Sequence, residues 1–106
     1  MALITAQELL DENHIDSNNH EIATMNRLIH DASALIRGSI SDSVTDEQIM
    51  DNLPDQYNRA ISALATRLYF SRDLSDGYGM GIQIMINQIR ARMWEVLTRM
   101  ERGWGA

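Results

Sequence analysis

The sequence has 106 residues, with no cysteine, no lysine, nine arginines and a formal net charge of −6. This length predicts one domain, and the lack of cysteine favours a reducing compartment over disulfide-stabilised secretion. No run approaches the ~20 apolar residues of a membrane-spanning helix, and the amino terminus lacks the basic and apolar regions of a signal peptide. We therefore expect neither a membrane protein nor a secreted one.

The charges are divided unevenly along the chain. Residues 1–55 contain eleven acids and two arginines, a net charge of −9, whereas residues 56–106 contain seven arginines and four acids, a net charge of +3. Such a split allows head-to-tail alignment of copies, although clustered charges are also typical of solvated helix faces. The negative balance argues against a free-standing DNA-binding protein. An acidic wall would, however, let a duplex slide past.

Three capping pairs mark the starts of helices in the first half of the chain. In such a pair an N-cap side chain accepts a backbone N–H three residues on, and that residue's side chain accepts the N-cap N–H. The first pair begins a short helix that runs to Glu12, and the second begins a long helix that Gly38 is expected to end. The third begins a short turn that runs to Leu53. The pairs are Thr5 with Glu8, Asn18 with Glu21, and Thr45 with Gln48.

Apolar side chains recur at spacings of three and four residues in three longer segments, which is typical of amphipathic helices. Pro54 suits the first turn of a helix that should end near Arg72, and the last helix should run from Ile82 to Arg102. We predict an all-α fold, a small bundle of about four helices forming one domain over residues 1–102, with a flexible tail at 103–106. The three stripes are Ile22, Met25, Ile29, Ala32 and Ile36; Tyr57, Ile61, Leu64 and Leu68; and Ile82, Ile86, Ile89, Met93, Val96 and Met100.

No pattern of residues predicts an enzyme. There is no cysteine nucleophile, no serine in a G-x-S-x-G motif, and no pair of carboxylates within an apolar run. His14, His20 and His30 lack the spacing of metal ligands. The glycines in residues 77–81 precede a helix, but a phosphate-binding loop also needs a preceding strand and usually a lysine. We predict no catalytic residue, no cofactor and no metal.

The second half of the chain carries the candidates for a subunit or partner interface. Arginine pairs with carboxylates through two parallel hydrogen bonds, tryptophan is enriched at interfaces, and the glycine-rich loop over residues 73–81 can change shape against a neighbour. The predicted interface residues are Arg72, Asp73, Leu74, Tyr78, Arg90, Arg99, Arg102 and Trp104.

Three segments together carry a resemblance. The first contains residues 3–5, the short helix after them, the turn through Ile15 and Asp16, and the first apolar stripe from Ile22 to Ala32. The second, residues 60–73, ends in a tyrosine and an arginine–acid stop, and the third is residues 81–90. They resemble the first half, third helix and closing helix of the small head–tail connector proteins of long-tailed bacteriophages. The resemblance covers about residues 3–92; the rest of the last helix and the Gly-Trp-Gly-Ala tail have no counterpart.

This resemblance implies a structural virion protein that catalyses nothing. Such head-completion adaptors form a ring of about a dozen subunits beneath the portal protein and bridge it to stopper or tail-completion proteins. Double-stranded DNA passes through the ring during packaging and ejection without specific binding. We therefore expect a homo-oligomer, present in the host cytoplasm during assembly and then in the virion.

Two other functions remain open from the sequence. The first is a small helical protein–protein adaptor outside any virion, which would form a dimer or a one-to-one complex. The second is a DNA-binding regulator that uses residues 54–72 and 82–102 as a helix pair. Its binding would depend on salt, because it would come from arginines on phosphates.

Overall fold

The computed structural model describes residues 2–71 and 79–105, with side chains up to Arg99. The described residues are helical without any strand, which confirms the prediction of a small all-α bundle. The segment after Thr45 forms a seven-residue helix of its own where the sequence indicated a short turn, so the described helices number five. They are α1 (Ala6–Glu12), α2 (Asn19–Ile40), α3 (Asp46–Asn52), α4 (Pro54–Ser71) and α5 (Met80–Gly105).

The helix starts follow the predicted caps. Reciprocal capping boxes begin α1 at Thr5 and α3 at Thr45. At the start of α2 the Asn18 side chain accepts the backbone N–H of Glu21 at 2.9 Å. The carboxylate of Glu21 does not complete a capping box there; it accepts a hydrogen bond from the hydroxyl of Tyr69 on α4. This bond links the first turn of α2 to the last turns of α4.

The prediction that Gly38 ends α2 is wrong. The helix continues to Ile40 and ends at Ser41, whose backbone is extended. Glycine inside a helix costs only about 1 kcal/mol, and burial of Ile40, which is 5% exposed, offsets that cost. Tertiary packing therefore decides where α2 ends.

The core lies where the apolar stripes of α2, α4 and α5 meet, and α1 and α3 close it at the sides. Most members of the three stripes are buried, whereas Ile29 and the outer members Ile22, Leu68, Ile82 and Val96 are only partly buried. None of the described helices is long and apolar enough to cross a membrane. The largest fully buried side chains are Tyr57, Leu9, Leu10, Met25, Ile36, Ile49, Ile61, Leu64, Ile86, Ile89 and Met93.

Helix α5 is longer than the sequence predicts. It begins at Met80 instead of Ile82 and runs to Gly105, three residues beyond the expected end at Arg102. Glycine makes these last positions costly for a helix without forbidding them. Twenty-six residues span about 39 Å, which exceeds two of the three dimensions of the molecule, 53 × 30 × 19 Å. One helix thus runs along most of the molecule.

Candidate interaction surfaces

The inner face of α5 is the predicted seam, and it is part of the core. Ile86, Ile89 and Met93 are at most 1% exposed, and α5 packs against α2, α3 and α4. Residues 82 to 96 of this seam alternate spacings of four and three, which keeps one line of side chains facing a partner. The middle of this face is therefore used within one molecule.

A second line of side chains with the same spacing runs along the outer side of α5. We call it the outer seam: Met80, Ile84, Asn87, Ala91, Trp94 and Thr98, all of them uncharged and exposed. Met80 is 81% exposed, Ile84 49% and Trp94 59%. A helix on a protein surface normally places polar residues on its solvent side. Large apolar side chains at this spacing are instead typical of a contact between helices.

Trp94 is the best-fixed member of the outer seam. Its indole nitrogen donates a hydrogen bond to the backbone carbonyl of Ile40 at 3.2 Å. A groove of about 320 Å³ lined by Ile40, Ser41, Leu97 and Thr98 lies beside the ring. From the sequence, Trp94 could be an interface anchor, because tryptophan is enriched at interfaces, or a plain core residue. Its exposure does not fit plain core packing. The second alternation of spacings four and three, which begins at Met80, is a further sequence signal for this line of side chains.

The predicted interface residues fall into three groups. Arg90 and Arg99 are exposed on α5, and the guanidinium of Arg99 lies 3.5 Å from the carboxylate of Glu95, with both side chains about two-thirds exposed. Arg102 and Trp104 belong to α5, but their side chains lie outside the described part. The remaining four, Arg72, Asp73, Leu74 and Tyr78, lie outside the described residues altogether.

A groove of about 570 Å³ runs along the side of α2, and we call it the α2 groove. Its apolar floor comes from Leu28 and Leu35 of α2 and Leu68 of α4, and Leu35 is 38% exposed. Arg27 and Asp31, one turn apart and both exposed, stand along it. Among its described lining residues, the groove therefore combines an open apolar surface with one positive and one negative side chain. Its remaining described lining residues are Thr24 and Ala34.

A partly buried polar cluster joins α2, α3 and α4. The guanidinium of Arg37 donates to the carboxylate of Asp46 at 2.6 Å and to the hydroxyl of Ser33 at 3.1 Å. The hydroxyl of Tyr57, a residue that is fully buried, donates to the same carboxylate. Burial and then the hydrogen bond to Asp46 raise the pKa of Tyr57 well above its ordinary value.

The sequence gives no sign of this cluster, because its members are separated by up to 24 positions. For Arg37, burial alone would lower the pKa, but the hydrogen bonds to Asp46 and Tyr57 outweigh burial and raise it. Near neutral pH the Tyr57 hydroxyl stays protonated and the Arg37 guanidinium stays charged, so both donate hydrogen bonds to Asp46 and neither gives up a proton. The cluster is therefore suited to holding three helices together.

Side chains that could bind a metal ion are scattered over the described part of the chain. Within residues 2–71 and 79–99, no three histidine, aspartate or glutamate side chains lie close enough to hold a metal ion. His14, His20 and His30 are exposed there. The outer seam and the α2 groove are two surfaces of these residues that expose large apolar side chains. Comparison with known proteins finds no matching family model, no matching curated protein and no matching solved structure.

Proposed function

We propose that this protein is a structural subunit that assembles with copies of itself into a ring, and that the ring is a head–tail connector of a bacteriophage. The observation that carries the proposal is the outer seam of α5. Met80, Ile84 and Trp94 stand exposed on a helix whose opposite face is core. Large exposed apolar side chains on one face of a helix are typical of surfaces that bind other proteins.

The division of charge supports repeated association of one kind of subunit. Residues 1–55, which contain α1 to α3 and the first two residues of α4, have a net charge of −9, whereas residues 56–106 have +3. When one patch of a subunit binds a different patch on the next copy, the assembly closes into a ring if the rotation between copies allows it. Opposite charges on the two halves favour that head-to-tail order over a symmetric dimer.

The same charges suit a channel through which DNA moves. A net charge of −6 repels phosphates, so a duplex inside the ring would slide without being held. The virion part of the proposal rests on the resemblance of residues 3–92 to head–tail connector proteins. In that role the ring binds the portal protein on one side and stopper or tail-completion proteins on the other.

Native mass spectrometry and negative-stain electron microscopy of the purified protein test the proposal. We expect closed rings of about a dozen subunits, whose fraction rises with protein concentration. A protein that stays monomeric at millimolar concentration would contradict ring formation, and a dimer or a one-to-one complex would favour the adaptor outside a virion. Mass spectrometry of purified virions then tests whether the protein is a virion component.

A DNA-binding measurement separates the ring from the regulator. Fluorescence anisotropy with a labelled duplex should show no more than weak binding at physiological salt. Micromolar or tighter binding that weakens steeply with added salt would instead support a DNA-binding regulator.

A further inference from the structure

The outer seam of α5 cannot bind the α2 groove of its own molecule. Its inner seam, with Ile86, Ile89 and Met93, is buried in the core, so the outer seam faces away from that core. The Trp94 indole is hydrogen-bonded to the carbonyl of Ile40 at the carboxyl end of α2, whereas the α2 groove begins at Thr24, nearer the amino end of that helix. Any contact between the two surfaces must therefore join two copies of the chain.

The charges beside the two surfaces match in spacing and in sign. Arg27 and Asp31 are one helical turn apart along the α2 groove. Glu95 and Arg99 are also four residues apart, in the opposite order of charge, and they form an exposed pair on α5. A parallel alignment of α5 with the α2 of a neighbour places Glu95 opposite Arg27 and Arg99 opposite Asp31 at the same time.

The same alignment sets the position of Trp94 without further adjustment. Trp94 precedes Glu95 by one residue, so it falls between the levels of Thr24 and Leu28, where Leu28 forms one end of the apolar floor of the groove. An aromatic side chain in a pocket, surrounded by polar contacts, is the usual anchor of a protein interface. The bond from its indole nitrogen to Ile40 already fixes its orientation, which lowers the entropic cost of binding.

We infer that Trp94 of one subunit inserts into the α2 groove of the next subunit, with Glu95 against Arg27 and Arg99 against Asp31. This inference rests on the proposed function, because it names the surfaces through which ring subunits meet. The interface is heterologous, since the patch on α5 differs from the patch on α2, and repetition of such a contact generates a ring.

A symmetric contact between two α5 helices is the main competitor, and charge disfavours it. Residues 80–99 contain three arginines and one glutamate, so pairing two α5 helices brings two faces of net charge +2 together. Helix α2 contains two arginines and two acids, a formal net charge of zero. Docking α5 on α2 therefore avoids the repulsion that docking α5 on α5 would meet.

The contact is small, so covalent trapping is the right test. The α2 groove from Thr24 to Leu35 spans about 17 Å, which is short for an interface of ~800 Å² per partner. The chain has no cysteine, so introduced thiols are unique. We would place Thr98→Cys on the outer seam and Ala34→Cys at the groove, both at exposed positions, and treat the full-length protein with a short bismaleimide.

We expect cross-linking to give a ladder of covalently joined oligomers. The double variant should give dimers, trimers and longer chains, an equal mixture of the two single variants should give dimers only, and each single variant alone should give monomers. Gln7→Cys, at an exposed position on α1, combined with Thr98→Cys is the matched control and should give no ladder. A dimer formed by Thr98→Cys alone would establish the symmetric contact and overturn the inference.

Charge reversal tests the pairing itself. Arg99→Glu should lower the yield of the ladder roughly fivefold to tenfold, and adding Asp31→Arg should restore it. Both residues are exposed, so neither change should unfold the protein. Rings in the electron microscope without a ladder would overturn this inference and leave the proposed function standing, whereas a protein that is monomeric at every concentration and gives no ladder would overturn both.

Discussion

The indole nitrogen of Trp94 and the backbone carbonyl of Ile40 are joined by a 3.2 Å hydrogen bond between residues 54 positions apart. Ile40 is the last residue of α2, so this bond satisfies a carbonyl that the helix itself leaves without a partner. The indole ring is nevertheless 59% exposed. Trp94 therefore has a structural role through its nitrogen and an open ring face that is available to another molecule.

Substitution of Trp94 should separate these two roles. We expect Trp94→Phe to lower the free energy of unfolding by about 1 kcal/mol, because it removes one hydrogen bond, while keeping most self-association. Trp94→Ala should also abolish the anchor and lower self-association at least tenfold. Urea unfolding measures the first effect, and sedimentation at several concentrations measures the second. Equal self-association of Trp94→Ala and the unchanged protein would show that the ring face binds nothing.

The cluster of Tyr57, Asp46 and Arg37 should stabilise the packing of α2, α3 and α4. Tyr57→Phe keeps the ring in the core but removes the hydroxyl, so we expect a loss of about 1–2 kcal/mol in the free energy of unfolding. Asp46→Ala should lower the free energy of unfolding further, because it leaves the Tyr57 hydroxyl with only the distant carbonyl of Ser33, at 3.5 Å, as an acceptor. Urea denaturation at pH 7 compares the two. A smaller loss for Asp46→Ala than for Tyr57→Phe would contradict the proposed role of the carboxylate.

The raised pKa of Tyr57 should make stability fall at alkaline pH. Because the pKa is higher in the folded state than the ordinary value of 10.0, the protonated hydroxyl stabilises the fold fully below about pH 10. That contribution is lost as the pH rises through the folded-state pKa, with a slope of up to about 1.4 kcal/mol per pH unit. Unfolding curves from pH 8 to pH 11.5 measure this, and Tyr57→Phe, which keeps the other tyrosines, should show a shallower fall. Identical slopes would exclude Tyr57 as the source.

Two glycines should respond oppositely to alanine. Gly38 lies inside α2, and no atom stands within 4 Å of the position that an added methyl group would take, so Gly38→Ala should raise the free energy of unfolding by about 1 kcal/mol. Gly79 has a φ of +85°, which side chains rarely adopt, so Gly79→Ala should lower it by about 1–2 kcal/mol. Thermal unfolding of both variants checks this. A stabilising Gly79→Ala would mean that the backbone there is free to take another conformation.

The structural features that could be predicted from the sequence are those that depend on residues close together in the chain. The capping boxes at Thr5 and Thr45 involve residues three positions apart, so both were predictable from the chain alone. The end of α2 was not, because burial of Ile40 depends on other helices. The α2 groove was hidden for the same reason, since Leu68 on α4 stands forty positions from Leu28.

The two seams of α5 restrict how this helix can change in length. Each residue advances the helix by about 100°, so one inserted or deleted residue near Asn87 would turn everything after it away from both seams together. Met93 would then leave the core, and Trp94 would leave the outer seam. Seven residues make nearly two whole turns and shift the faces by only about 20°, so an insertion or deletion within this helix should keep both seams only if it is about seven residues long.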